Sequence, residues 1–109
     1  MTLNEYQQAA RQTAIYPDDL RVVYPVIGLA GETGEVAEKV KKTLRDSQRN
    51  FTADDVRNAL AKELGDVLWY LAATAGDLGL TLDEIATINL DKLHSRQARN
   101  QLHGEGDDR

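Results

Sequence analysis

The chain lacks several features that mark common classes of protein. It has no cysteine among its 109 residues, which excludes a disulfide framework and a thiolate metal site and agrees with a reducing compartment. No apolar run approaches the ~20 residues that span a bilayer. The first residues also lack the basic and apolar regions of a signal peptide. We therefore expect a cytoplasmic protein with no membrane partner.

Positive charge is also scarce. The chain carries 13 Lys and Arg against 18 Asp and Glu, a formal net charge of -5. A nucleic-acid backbone needs a basic surface, so we expect no nucleic-acid partner. A nucleotide is not excluded, because a bound divalent cation supplies the missing positive charge.

Hydrophobic periodicity predicts an all-α fold. Both prolines lie in the stretch 15–25, which reads as a loop. Apolar residues at helical spacing predict helices over 3–14, 26–44, 53–78 and 82–99. The apolar side of the second helix, which includes Val26 and Leu44, and that of the third, which includes Leu64, Leu71 and Leu78, are expected to form the core. The expected fold is a four-helix-bundle-like protomer of antiparallel helices, forming one domain over 1–99. The polar residues 100–109 are predicted to be a disordered tail. Capping signals open three of the helices: Thr2 with Glu5, Thr52 with Asp55, and Thr81 with Glu84.

Two acidic pairs stand out on the second and third predicted helices. Glu32 and Glu35 are three residues apart, and so are Glu63 and Asp66. Side chains at i and i+3 share one side of a helix. If the two helices are neighbours, four carboxylates converge, and hard divalent cations prefer such oxygen ligands.

The alternative is that these acids lie on a solvated helix surface, as a single acidic pair of this spacing usually does. Here the pair recurs on two successive helices, beside apolar residues and glycines. Each glycine inside a helix costs about 1 kcal/mol against alanine, and the usual compensation is close approach of another helix or a ligand. The glycines concerned are Gly28, Gly31, Gly34 and Gly65.

These motifs resemble the MazG-like, all-α nucleoside triphosphate pyrophosphohydrolases, in their small single-domain branch. The core of the resemblance is Glu32-x-x-Glu35, twenty-seven intervening residues, and Glu63-x-x-Asp66. The flanking residues 28–42 and 63–71 are similar too, as are Asn89-Leu-Asp-Lys92-Leu-His-Ser-Arg96 and the opening Asn4-Glu-Tyr-Gln7. The resemblance covers about residues 3–97.

The resemblance implies hydrolysis of nucleoside or deoxynucleoside triphosphates to the monophosphate and pyrophosphate, in nucleotide-pool cleansing. It implies Mg²⁺, with Mn²⁺ as a substitute, and a homodimer or homotetramer. The implied metal ligands are Glu32, Glu35, Glu63 and Asp66. The implied contacts to the phosphates or the sugar come from Asn89, Lys92 and Arg96.

Several roles stay open at this point. Glu35, Glu38 and Glu63 are the candidates for the catalytic carboxylate that accepts a proton from the attacking water. Lys39 and Lys42 either reach outer phosphates or balance the acids. Tyr70 either stacks on the base or packs, and Trp69 is expected to pack.

Two other classes compete with this reading. One is a non-catalytic helical dimeric interaction module, whose acidic surface would be indifferent to metal. The other is a di-iron carboxylate bundle, which needs a His three residues after a Glu. No candidate Glu of this sequence has one.

Overall fold

The computed structural model describes residues 1–46 and 49–109 and is all-helical there, without a strand. Four α-helices run over Leu3–Arg11 (α1), Val23–Arg45 (α2), Asp54–Asp77 (α3) and Leu82–Ala98 (α4), and a 3₁₀-helix covers Asp18–Leu20. The predicted all-α class and the four helices are confirmed. None of the described helices is long and apolar enough to cross a membrane.

The helix starts show where local sequence decides the fold. Thr2 caps α1 by accepting from Glu5 N at 3.1 Å, and Thr81 caps α4 by accepting from Glu84 N at 3.1 Å. The cap predicted at Thr52 is wrong, because α3 begins one residue later, after Ala53, and has no side-chain cap. The Thr52 N–H and hydroxyl instead donate to Asn50 Oδ1.

The second helix begins three residues earlier than predicted and contains a proline. Pro25 is the third residue of α2, where a backbone N–H would have no partner within the helix. The ring therefore costs no hydrogen bond there. It is also fully buried, so it contributes packing at the start of the helix.

The helices α2 and α3 form an antiparallel pair. Val22 contacts Asp77 at one end, Gly28 lies against Tyr70, and Lys39 pairs with Glu63 further along. Residue numbers rise along α2 while those of the contacting residues on α3 fall, so the two helices run in opposite directions. The acidic pair of α2 therefore lies beside the acidic pair of α3 along the antiparallel helices.

Gln7 ties α1 to α3 and α4. Its amide nitrogen donates to the carbonyls of Ala72 and Leu80 at 3.2 and 3.1 Å, and its amide oxygen accepts from Leu82 N at 2.9 Å. One side chain thereby satisfies three backbone groups at the junction of α3 and α4. Gln7 has a structural role here.

The core of the single chain is small, and part of the predicted core is exposed. Leu64, Leu71 and Leu78 of α3 are 55%, 37% and 57% exposed, and Val26 and Leu44 of α2 are 45% and 46% exposed. Predicting them inside the protomer was wrong, because α1 and α4 pack on another side of α3. By helical period the exposed residues of both helices lie on one side of the antiparallel pair.

Residues 100–109 contain neither helix nor strand. They fold back along α4, where the Arg96 guanidinium donates to the carbonyls of Gly106 and Asp107. Their predicted disorder stays a prediction.

Asp77 fastens the segment between α1 and α2 to α3. Its side chain is fully buried and accepts from Arg11 Nη1 at 2.9 Å, Tyr16 OH at 2.8 Å and Val22 N at 2.9 Å. Val22 has φ 67°, a left-handed backbone that a β-branched residue rarely adopts. Burial by itself raises the pKa of Asp77, but the hydrogen bonds from Val22, Tyr16 and Arg11 together hold that pKa below its usual value.

We expect Asp77→Asn to lower the free energy of unfolding by about 2 kcal/mol at pH 7, because three donors lose a charged acceptor. A carboxylate with a lowered folded-state pKa stabilises above its unfolded pKa of about 3.9, and the contribution is lost as pH falls through the folded pKa. Urea unfolding should therefore show the two proteins converging in acid. Asp91→Asn, an exposed position of α4, is the matched control. Equal urea midpoints for Asp77→Asn and wild type at pH 7 would contradict this role.

Candidate functional site

Three of the four predicted carboxylates converge where α2 meets α3. One oxygen each from Glu32, Glu63 and Asp66 lies within 4.8 Å of the others, with Glu32 and Glu63 half-buried and Asp66 exposed. Opposite oxygens around a single Mg²⁺ are about 4 Å apart. The three side chains, called here the acidic triad, therefore offer the oxygen ligands that a hard divalent cation prefers, at separations close to those around a bound ion.

Desolvation and neighbouring negative charges both act on the acidic triad. Desolvation, followed by the negative charges of Asp66, Glu63 and Glu35, raises the pKa of Glu32. One cation lies close by: Lys39 Nζ is 3.8 Å from Glu63 Oε1. A single half-exposed ammonium only partly balances the three acids, so a bound divalent cation would relieve their repulsion.

The fourth predicted ligand stands slightly apart. Glu35 is exposed and lies outside the acidic triad, although its charge acts on Glu32. Its role as a metal ligand stays a prediction.

Glu38 has different surroundings from Glu35. It pairs with Lys41 at 2.9 Å and with Lys42 at 3.7 Å. The hydrogen bond from Lys41 lowers the pKa of Glu38. Lys42 therefore balances an acid in this structure, as the second interpretation of the lysines expected.

Gly28 allows Tyr70 to lie over the acidic triad. A Cβ built at Gly28 would overlap the Tyr70 ring, so the close approach predicted for the helix glycines is confirmed at this position. Gly31, Gly34 and Gly65 have nothing within 4 Å of a built Cβ in the described chain. Burial is the main cause that raises the pKa of the Tyr70 hydroxyl, and the charge of Glu32 adds to it.

A cleft of about 330 Å³ opens beside these residues. It is lined by Thr13, Glu32, Asp66, Trp69 and Tyr70. The Trp69 indole N–H donates to Thr13 Oγ1 at 2.8 Å, and its ring meets Tyr70 edge-on with 5.0 Å between centroids. Trp69 is thus fixed as a wall of the cleft. The sequence offered no signal for Thr13, which follows α1 and reaches the cleft only through folding.

The same indole borders a second space between α1 and α3. This groove of about 500 Å³ is lined by polar side chains of α1 and of the residue that follows it, among them Gln8 and Gln12, and by small residues of α3, including Gly76. The groove and the cleft therefore meet at Trp69.

The predicted contact residues of α4 lie elsewhere in the described chain. Asn89 is exposed, and Lys92 and Arg96 interact with Asp107. The main packing of α4 is against α1 and α3. None of the described ion pairs or hydrogen bonds joins these three side chains to the acidic triad.

Comparison with known proteins assigns the chain to a protein family. The sequence model of the MazG nucleotide pyrophosphohydrolase domain matches residues 26–100, which contain the acidic triad and Glu35. The chain belongs to the MazG nucleotide pyrophosphohydrolase family. It is 44% identical to the Gene 37 protein of Mycobacterium phage L5 over 115 aligned residues, covering all of both chains. No solved structure matches the chain.

The acidic triad lies inside the matched domain, whereas part of the cleft beside it does not. The two helices that carry the triad, α2 and α3, both lie almost entirely within the matched MazG domain. The first helix precedes the match, although its neighbour Thr13 lines the cleft. The N-terminal segment therefore completes a site whose acidic part belongs to the MazG domain.

We expect Gly28→Ala to destabilise the fold by about 1–3 kcal/mol, because the added methyl group displaces the Tyr70 ring. Gly31→Ala is the matched control: its methyl group meets open space, so helix propensity should stabilise the fold by up to about 1 kcal/mol. Urea unfolding measures both. Two variants of equal stability would show that Tyr70 does not depend on Gly28.

Proposed function

We propose that this MazG-family chain hydrolyses nucleoside or deoxynucleoside triphosphates to the monophosphate and pyrophosphate in the presence of Mg²⁺ or Mn²⁺. The observation that supports this most is the acidic triad, whose three oxygens lie within 4.8 Å of one another beside a cleft with two aromatic side chains. Removal of damaged or surplus nucleotides from the cytoplasmic pool is the physiological role we propose.

Glu32, Glu63 and Asp66 would hold the metal ion, with Glu35 as the fourth ligand. When bound, Mg²⁺ neutralises charge on the phosphate oxygens and lowers the pKa of a bound water. The chain itself supplies a rigid frame for these ligands. The antiparallel pair of α2 and α3 fixes their separation, and Lys39 holds Glu63 from the side.

Glu35 is the carboxylate that we propose accepts the proton of the attacking water. It lies one helical turn from Glu32 and forms no ion pair within residues 1–46 and 49–109. Glu38 is less suited, because its two lysine partners and its lowered pKa make it a weaker base. Glu63 is already paired with Lys39.

The cleft suggests how a nucleotide is oriented. Tyr70 and Trp69 offer aromatic surface to a base beside the acidic triad. Lys39 is the cation nearest the triad and would meet a phosphate oxygen. Asn89, Lys92 and Arg96 of α4 would contact the phosphates or the sugar.

We also propose that the chain forms a homodimer, or a tetramer of such dimers. The exposed leucines of α3 and the exposed apolar residues of α2 form one continuous apolar side of the helix pair. A second copy that offers the same side would bury both sets and complete a four-helix core. Burial of this kind stabilises by about 25 cal/mol per Å² of apolar surface.

The function is tested by incubating the full chain with each common triphosphate and Mg²⁺ and identifying the products. We expect monophosphate plus pyrophosphate. Glu63→Gln should reduce turnover by on the order of 100-fold or more while circular dichroism stays helical, because a ligand oxygen loses its charge. Glu5→Gln, on exposed α1, is the matched control. Release of orthophosphate alone, or no turnover with Mg²⁺ or Mn²⁺, overturns the proposal.

The dimer is tested by sedimentation equilibrium. Wild type should sediment at a multiple of the 12.1 kDa chain mass. Leu64→Lys places a charge on the apolar side and should shift the protein toward a single chain. Ile15→Lys is the control, because Ile15 is 96% exposed and lies outside α2 and α3. A wild-type protein that sediments as a single chain rules out the assembly.

A further inference from the structure

Residues 101–109, called here the return segment, place an acid on two cations of α4. Asp107 Oδ1 lies 3.1 Å from Lys92 Nζ and 3.6 Å from Arg96 Nη2. Lys92 and Arg96 are one turn apart on the helix, so they share one side of it. The hydrogen bond from Lys92 is the main cause that lowers the pKa of Asp107. The two cations thus form an anion site that the chain fills with its own carboxylate.

Arg96 shows that this site is poorly satisfied. The residue is only 5% exposed, yet its Nε has no hydrogen-bond partner within the described residues. Its Nη2 donates to the carbonyls of Gly106 and Asp107, which carry no formal charge. A buried guanidinium is better stabilised by a charged, multidentate oxygen ligand than by carbonyls.

The occupant of the site is itself weakly held. The Asp107 side chain is 86% exposed, so water and salt screen its two ion pairs. The return of the chain depends on Gly104 and Gly106, whose φ values of 145° and 83° are open to glycine but strained for other residues. The Asp107 carboxylate is therefore the exposed part of the segment, which is otherwise held by hydrogen bonds to backbone carbonyls, and an anion of higher charge can compete with it for the two cations.

We propose that the return segment is an intramolecular competitor for phosphate: Asp107 occupies Lys92 and Arg96 in the free chain, and a di- or triphosphate must displace it. This rests on the proposed function, in which the same two cations contact the phosphates of the substrate. In the free chain, Asp107 Oδ1 takes the position at Lys92 and Arg96 that a phosphate oxygen would occupy. The device lowers the affinity for weakly charged anions and leaves the acidic triad untouched.

The experiment compares Asp107→Asn with Asp108→Asn in the full chain. Asp108 is adjacent, carries the same charge and belongs to no ion pair among the described residues. Inorganic pyrophosphate is titrated calorimetrically in metal-free buffer, so that the acidic triad does not contribute to binding. We expect Asp107→Asn to bind pyrophosphate about two- to five-fold more tightly than wild type. In the hydrolysis assay the KM for triphosphate should fall by a similar factor at unchanged kcat.

Gly106→Val gives a second, independent way to release the segment, because a β-branched residue is strained at its positive φ. It should tighten pyrophosphate binding in the same direction. In nuclear magnetic resonance spectra, the Gly104 and Gly106 amide signals of wild type should move toward random-coil positions as pyrophosphate saturates the protein.

If Asp107→Asn and Asp108→Asn tighten pyrophosphate binding equally, the loss of one negative charge explains the effect, and the proposal is overturned. Unchanged or weaker binding in Asp107→Asn overturns it too. Tighter pyrophosphate binding in a chain that hydrolyses no triphosphate would uphold the competition and reject the proposed function, so the two failures are distinguishable.

Discussion

Mutual repulsion among three carboxylates is the constraint on which the rest of this structure depends. Glu32, Glu63 and Asp66 are held close at the contact of α2 and α3, and desolvation, together with the charges of Asp66 and Glu63, raises the pKa of Glu32. A folded-state pKa above the unfolded value means that the native state binds more protons in that range. The free energy of unfolding therefore falls as pH rises from the unfolded-state pKa of Glu32 through its raised folded-state pKa. A divalent cation bound between these carboxylates would relieve their repulsion and so stabilise the fold.

The surrounding contacts keep these acids in place despite their repulsion. Gly28 lets Tyr70 close over α2, and Lys39 offsets part of the charge on Glu63. On the other side, the buried Asp77 fastens the segment between α1 and α2. Thr13 of that segment accepts from Trp69, which walls the cleft. The hydrogen bonds of the buried Asp77 side chain therefore help to hold the segment that carries Thr13 beside the cleft.

The sequence predicts much of this, because helical period and capping chemistry are local. Thr2 and Thr81 begin helices as expected. Spacing indicated that the four acids would converge if the two helices were neighbours, and Glu32, Glu63 and Asp66 do so. Two kinds of feature escaped prediction. The Thr52 cap did not form: α3 begins one residue later than predicted, after Ala53, and the Thr52 hydroxyl donates to Asn50 Oδ1. The apolar residues of α2 and α3 were assigned to a core within the chain, because periodicity shows that a side is apolar but not which molecule covers it. The Asp77 cluster joins residues more than fifty positions apart, and no local pattern encodes it.

The most direct test of the account is the melting temperature of the full chain in EDTA and in millimolar Mg²⁺, measured for wild type and Glu32→Gln. A ligand that binds the native state raises the melting temperature by mass action. We predict that Mg²⁺ stabilises wild type and has little effect on Glu32→Gln, whereas in EDTA Glu32→Gln melts above wild type because one repelling charge is gone. A wild-type protein that does not respond to Mg²⁺ or Mn²⁺, or a variant that responds equally, would contradict the claim that the acidic triad is a metal site.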